Sequence, residues 1–332
     1  MTEAPLRIGI LGAARIAPNA LISPAANNPE VVVAAVAARD TARARQFAHK
    51  HGIPRVFGSY QELITAPDLD AVYNPLPNGL HGHWTKAAML AGKHVLCEKP
   101  FTANADEARE IAELTWQFDR VVMEAFHYRY HPLIRAAEEV IASGELGTLR
   151  RVEASMCFPL PKFSDIRYDY SLAGGALMDA GCYAVHMARV FGGGSPEVVS
   201  AQAKLHAPNV DRAMSAELRF PEGHSGRIRS SLWSTDVLRM GARVIGEHGR
   251  LGIVNPLGPH MPHWMSVRSR RGNRIETFPH RPSYAYQLDA FADGVLRGEP
   301  VPTSPEDSIE NMAVIDAIYR AAGLPVRQPS RA

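Results

Sequence analysis

The chain has 332 residues, 46% of them hydrophobic and 21% charged, with a formal net charge of +2. This length accommodates two globular domains, and the charge balance gives no electrostatic case for nucleic acid. No apolar run approaches the roughly 18 residues of a membrane span, and the N-terminus lacks a charged-then-apolar leader pattern. Cys97, Cys157 and Cys182 are too few, and odd in number, for a disulfide framework, so a reducing, cytoplasmic setting is expected.

Leu6 to Leu11 reads as a short buried strand. It leads into Gly12-Ala13-Ala14-Arg15-Ile16-Ala17, after which helical spacing resumes. This is a reduced form of a glycine-rich Rossmann turn: Gly12 takes the tight turn, Ala14 stands where a second glycine normally admits the pyrophosphate, and Ala17 stands at the helix-packing position. Taken alone, the run fits a strand–helix turn with no ligand equally well. Val31 to Ala38 is a second strand, and Asp40 to His51 a helix. Ala71 to Pro75 and His94 to Cys97 are further strands, with Gly82 to Ala91 as a helix between them. This alternation predicts a parallel sheet with right-handed crossovers.

The second strand ends Ala37-Ala38-Arg39-Asp40-Thr41, with no acid at the strand end itself. An acid there would read a ribose 2′-hydroxyl, whereas Arg39 suits a 2′-phosphate through its planar fork. Asp40 reads as the N-cap of the following helix. The strand end therefore favours NADP over NAD, against the alternative of a solvated arginine. At the end of the fourth strand, Glu98-Lys99-Pro100 presents a lysine where α/β sheets bind ligands, with a proline that holds the turn and whose peptide bond can be cis. A surface lysine before a loop proline is the plain alternative.

Further on, Gly174-Gly175-Ala176-Leu177-Met178-Asp179-Ala180-Gly181-Cys182-Tyr183 is helix-compatible, and Asp179 and Tyr183, four apart, fall on one helical face. Two polar groups on an apolar face need partners when buried; a core tyrosine is the alternative. His186, three residues later, is read as structural. His81-Gly82-His83 and the other histidines make no metal set.

A change of character near Met123-Glu124 divides the chain. Residues 1–123 read as a dinucleotide-binding Rossmann domain. Residues 124–332 read as an α+β domain with a large, mostly antiparallel open sheet, preceded by a helix near Leu133 to Ser143. Its strands are Leu149 to Phe158, Glu197 to His206, Arg212 to Phe220, Ser225 to Ser234, Ala242 to Gly246 and Arg250 to Val254. A helix over about 306–322 follows Pro302-Thr303-Ser304-Pro305. Only one face of the sheet has covering helices in the sequence. Val198, Leu218, Ile228, Leu232 and Val244 supply apolar material for the other, which points to a homodimer or homotetramer.

Taken together these residues resemble the glucose-fructose oxidoreductase, inositol dehydrogenase and rhizopine-catabolism (Gfo/Idh/MocA) oxidoreductase family. The resemblance covers essentially the whole chain and implies that the 306–322 helix packs back toward the first domain. It rests on the Gly12-to-Ala17 turn, Pro77-Asn78 and His81, Glu98-Lys99-Pro100, Met123 to Pro132, Gly174 to Tyr183, Tyr286 to Phe291 and the 306–319 helix. Tyr183, rather than histidine, is similar to glucose-fructose oxidoreductase and dimeric dihydrodiol dehydrogenase, the latter an NADP enzyme.

The resemblance implies hydride transfer between nicotinamide and a hydroxyl or carbonyl of a sugar, polyol or cyclic diol, with Lys99, Tyr183 and Asp179 as catalytic residues. Gly12, Ala14, Arg15, Ile16, Arg39, Pro77, Asn78, His81, Glu98 and Lys99 would line the cofactor. Arg129, Arg167, Asp179 and Tyr183 would contact a sugar-like substrate. A Lys99 ammonium about 4 Å from the phenol would favour phenolate by roughly 4 kcal/mol at an effective dielectric near 20, pulling Tyr183 down toward neutral pH. The other functional class is a non-catalytic nucleotide- or sugar-sensing protein on the same scaffold, which would not need the Lys–Tyr pair.

Overall fold

The structure is a computed structural model that describes residues 4–258 and 261–331. Six parallel strands build the first sheet: β1 (Leu6–Leu11), β2 (Val31–Ala37), β3 (Arg55–Phe57), β4 (Ala71–Asn74), β5 (His94–Cys97) and β6 (Val122–Glu124). Their spatial order is β3-β2-β1-β4-β5-β6. Chain direction across the sheet reverses between β1 and β4, and the crevice at their carboxyl ends is where such sheets take ligands. The strands are near-continuous apolar runs because helices cover both faces. Those helices are α1 (Ser23–Ala25, continuing a π turn over Pro18–Ile22), α2 (Thr41–His51), α3 (Tyr60–Ile64), α4 (His81–Leu90) and α5 (Ala105–Thr115). The expected strands and helices agree with these to within a residue or so. β3, β6, α3 and α5 had no counterpart in the sequence reading.

After α6 (Pro132–Ala142) come β7 (Leu149–Cys157), α7 (Cys182–Gly192, entered through a π turn over Leu177–Gly181), β8 (Glu197–Ala207), β9 (Val210–Arg219) and β10 (Ser225–Ser231). The chain continues through β11 (Arg239–Gly246), β12 (Gly249–Val254), β13 (Trp264–Ser269), β14 (Gly272–Glu276), α8 (Ser283–Arg297) and α9 (Pro305–Ala321). The second sheet runs β14-β13-β12-β11-β7-β10-β9-β8, and its one parallel pair is β7 with β10. The mostly antiparallel sheet is as expected, with two further strands, β13 and β14.

The expected apolar outer face is not there. Leu218, Ile228 and Val244 belong to the main buried core, under α7 and α9, and Leu232 to a smaller one. Alternation along the same strands puts Arg227, Arg229 and Arg243 on the opposite, open face, and Arg250 directly faces Arg268 across β12 and β13. The sheet thus buries its apolar period against helices and turns an arginine-rich period outward. Among the described residues no helix is long and apolar enough to cross a membrane.

Candidate active site

Lys99 follows β5 by two residues, and its peptide bond to Pro100 is cis. The side chain is half-buried, 15% exposed. Its Nζ donates to the Asp179 carbonyl at 3.0 Å and lies 3.4 Å from Asp179 Oδ1. It also sits over the Tyr183 ring, 5.1 Å from the centroid. The π turn over Leu177–Gly181, a local widening frequent at functional sites, carries Asp179, and α7 carries Tyr183. The structure therefore brings Lys99, Asp179 and Tyr183 together at the carboxyl end of the parallel sheet.

The electrostatics differ from the expectation for Tyr183. Burial pushes its phenol well above the ordinary tyrosine value, and Tyr284, Glu98, Cys182 and Asp179 add to the rise. Lys99 is committed to Asp179 and faces the ring rather than the hydroxyl, so the expected downward pull is not realised. Burial also pushes Asp179 upward, but Lys99 and Arg167 outweigh it and hold the carboxyl below its usual range. Burial lowers Lys99; Asp179, Cys182 and Glu98 more than reverse this. Asp179 is a carboxylate, Lys99 an ammonium and Tyr183 a neutral phenol.

Around this group runs a ladder of ion pairs. Arg167 Nε is 3.1 Å from Asp179 Oδ2, Arg167 Nη1 is 3.0 Å from Asp165 Oδ1, and Arg15 of the glycine turn reaches Asp165 Oδ2 at 3.3 Å. Arg15 and Arg167 are thus brought to the site across the two halves. Arg129 is not linked to it: both its terminal nitrogens lie 2.7 Å from Glu138. Glu98 is buried, accepting the Tyr73 hydroxyl at 2.7 Å. His81 sits between two carbonyls, Pro100 at 2.7 Å and Leu76 at 2.6 Å, and so ties the Lys99 turn to the loop carrying Pro77 and Asn78. Burial, the largest influence, pushes its pKa down to about 4 against the pull of those carbonyls, so the ring is neutral and donates to one of them. Asn78 Nδ2 donates to Ala173 at 3.3 Å. His186 is buried between the Tyr128 hydroxyl and Asp307.

The first sheet's residues fit a dinucleotide. Gly12 has φ +91°, which favours glycine, and its amide donates to Ala37 at 2.7 Å, closing the turn above β1 and β2. Ala14 and Ile16 line the open side of this turn, both half-buried. Arg39 is exposed at the end of β2, and Asp40 caps α2 through the amides of Ala42 (2.9 Å) and Arg43 (3.2 Å), which turns its charge away.

Sequence reasoning missed three residues. Arg43 donates to Ala13 at 2.9 Å beside the glycine turn. Tyr284 lies beside Tyr183 and Glu98, and its ring is 4.1 Å from that of His127. Gln287, one turn further along α8, is fully buried with neither side-chain polar atom partnered. Buried side-chain polar atoms without a partner are exceptions in a folded protein. The motif Tyr286-Gln287-Leu288 carried the only sequence signal for it. Among the described residues no cluster of His, Cys, Asp and Glu is placed to hold a metal.

Comparison with known proteins agrees with this fold. Residues 6–126 match the model of an oxidoreductase family with an NAD-binding Rossmann fold, and residues 134–252 match the GFO/IDH/MocA C-terminal domain. D-xylose 1-dehydrogenase (NADP(+)) 2 of Haloferax volcanii is 41% identical over 96% of this chain and 97% of its own. A trans-1,2-dihydrobenzene-1,2-diol dehydrogenase of Macaca fascicularis is 37% identical over 68% of this chain and 66% of its own. Among solved structures, a 3-ketoreductase of Actinomadura kijaniata in complex with NADP and TDP-benzene superimposes with a TM-score of 0.87 at 28% identity, covering 99% of this chain and all of that one. With two matched domains in order and a relative at 41% identity over nearly its full length, the chain belongs to the Gfo/Idh/MocA family of oxidoreductases.

Proposed function

We propose that this oxidoreductase moves a hydride between NADP(H) and a carbon bearing a hydroxyl or carbonyl on a sugar, polyol or cyclic diol, with Tyr183 as the proton-handling group. The observation that carries it is the meeting of Lys99, Asp179 and Tyr183 at the carboxyl end of the parallel sheet. The names of the relatives, a xylose and a dihydrodiol dehydrogenase, support the substrate class.

The nicotinamide supplies or accepts the hydride. Gly12, Ala14, Arg15 and Ile16 hold the pyrophosphate side, Arg39 with Arg43 the 2′-phosphate, and Pro77, Asn78, His81 and Glu98 the loops that frame the nicotinamide half. Tyr183, neutral in its buried setting, donates its proton to a carbonyl oxygen as that oxygen gains charge. Asp179 and Arg167 orient neighbouring substrate hydroxyls, and Lys99 holds Asp179 ionised. In the oxidative direction Tyr183 must give up its proton first, and Lys99 is the cation within reach to stabilise the phenolate. Arg129 acts on substrate only if released from Glu138.

Residues 1–123 form the nucleotide unit and 124–332 the substrate unit. Three buried, unpaired cysteines support a reducing, cytoplasmic setting. A second copy covers only the β12–β14 end of the arginine-rich open face, where Val254 faces Trp264 across β12 and β13 and Ile275 stands exposed on β14.

The test is turnover with NADP on a panel that begins with D-xylose, comparing wild type with Tyr183→Phe. The variant is expected to lose roughly a hundredfold or more in kcat while binding NADP as wild type does. Near-normal turnover would remove Tyr183 from its role.

A further inference from the structure

After α9 the C-terminal segment bonds to both halves of the molecule. Ser330 donates its amide to Gly79 at 2.7 Å and its hydroxyl to Ser171 at 2.5 Å, and the Arg327 carbonyl accepts from Asn104 Nδ2 at 2.8 Å. Gly79 and Asn104 lie on the nucleotide side, Ser171 on the substrate side. The tail is therefore a strap fastened to both.

Arg327, in the middle of the strap, is fully buried, and so is its partner Asp211 at the start of β9. Arg327 Nη2 donates to Asp211 Oδ1 at 3.0 Å while Nε donates to the Gly174 carbonyl at 2.8 Å. The guanidinium also stacks on Tyr319, 4.1 Å from the ring centroid, and the Tyr319 hydroxyl donates to Asp211 Oδ1 at 3.0 Å. The other carboxylate oxygen, Oδ2, accepts the Leu177 amide at 2.7 Å. That amide opens the π turn carrying Asp179 and lacks an acceptor within its own helix.

One guanidinium and one carboxylate thus pin both ends of Gly174–Leu177. The fit is close: a Cβ on Gly175 would lie 2.2 Å from Asp211 Oδ1 and 2.8 Å from Arg327 Nη2, at a φ of +138°. A buried ion pair is weak evidence of stability, since apolar residues of the same volume often serve as well. Its planar fork, however, fixes geometry in a way an apolar contact does not.

We propose that Arg327 and Asp211 are positioning residues for the reaction: together they set the Leu177–Tyr183 turn against Lys99, and the strap's bonds to Gly79 and Asn104 tie that setting to the nucleotide side. The inference rests on the oxidoreductase reading above.

The test uses the double variant Arg327→Leu/Asp211→Asn, which leaves no unpaired buried charge and so favours folding, beside Arg327→Lys, which keeps the charge and loses the fork. Hydrogen–deuterium exchange of residues 174–183 is measured with NADP affinity by fluorescence titration and kcat and KM on the best sugar of the panel. In the double variant, exchange of 174–183 should rise about tenfold or more while β1 and β4 stay protected. Affinity for NADP should hold within about threefold, and kcat should fall about tenfold or more, with Arg327→Lys between the two. Unchanged exchange in 174–183, loosening spread evenly over the chain, or a loosened turn with unaltered kcat would each overturn the proposal. A wild type that neither binds NADP nor turns over any sugar would sink the oxidoreductase reading instead, and the exchange data would still decide whether this pair fixes the turn.

Discussion

Glu124, at the end of β6, joins the Lys99 turn to α9, and its charge state can be read from hydrogen-bond arithmetic. Its Oε1 accepts the Phe101 amide at 2.9 Å, and its Oε2 lies 2.6 Å from Ser308 Oγ. The Ser308 hydroxyl also lies 3.0 Å from the Ser304 carbonyl. One hydroxyl has one proton, so an ionised Glu124 would take it and leave the Ser304 contact unserved. A protonated Glu124 donates to Ser308, and Ser308 donates to Ser304. Burial, the dominant influence, pushes this carboxyl to about 8 despite the pull of the Ser308 and Phe101 bonds.

A carboxyl raised on folding takes up a proton. Its contribution to stability is complete below the unfolded value of about 4.3 and is lost as pH rises through the folded value. At pH 7 the unfolded carboxylate must regain a proton at a cost of about 3.5 kcal/mol, and the full loss above pH 8 is about 5 kcal/mol. Glu124→Gln keeps both contacts, with its carbonyl to Phe101 and its amide to Ser308, and escapes the titration. The variant should match wild type near pH 4. Its advantage should then grow by about 1.4 kcal/mol per pH unit between pH 5 and 8, and level off above. Melting temperatures of both proteins across that range, read as differences because a chain with two cores need not melt in one step, check this. Parallel curves would mean that Glu124 is ionised in the fold and the argument is wrong.

Arg39→Ala should weaken NADP binding by roughly ten- to a hundredfold, the scale of a charge-assisted contact, and leave NAD binding nearly unchanged; paired titrations on wild type and variant decide it. Light scattering at micromolar concentration should return at least twice the 36.3 kDa of one chain, and a monomer would remove the second copy from the open sheet face.

The Rossmann half was legible because its strands are buried on both faces and punctuated by glycine and proline; β1 and β5 begin and end at the residues the sequence marks. β13 and β14 escaped because Trp264–Ser269 and Gly272–Glu276 are short, arginine-bearing and near a sheet edge, with little apolar alternation. The sheet's faces were misassigned for a different reason. A period of two says that Leu218 and Ile228 share a face across paired strands, but the covered face is the apolar one, and the arginines between them were the mark of the open side. Of the site, Lys99, Asp179 and Tyr183 carried local motifs. Tyr284 and Arg327 reach it from elements more than 100 residues later in the chain, through packing that no short motif encodes.

The phenol of Tyr183 shows where a correct pairing of residues still leaves the chemistry open. An ammonium about 5 Å from a phenolate, at an effective dielectric near 20, is worth roughly 3 kcal/mol in favour of ionisation. Here the same ammonium has Asp179 Oδ1 at 3.4 Å. A cation and an anion that close act on a third group as a dipole, and their separate pulls largely cancel. What is left for Tyr183 is burial, which favours the neutral form. The direction of the Lys99 side chain, not its presence, therefore sets the proton affinity of the phenol.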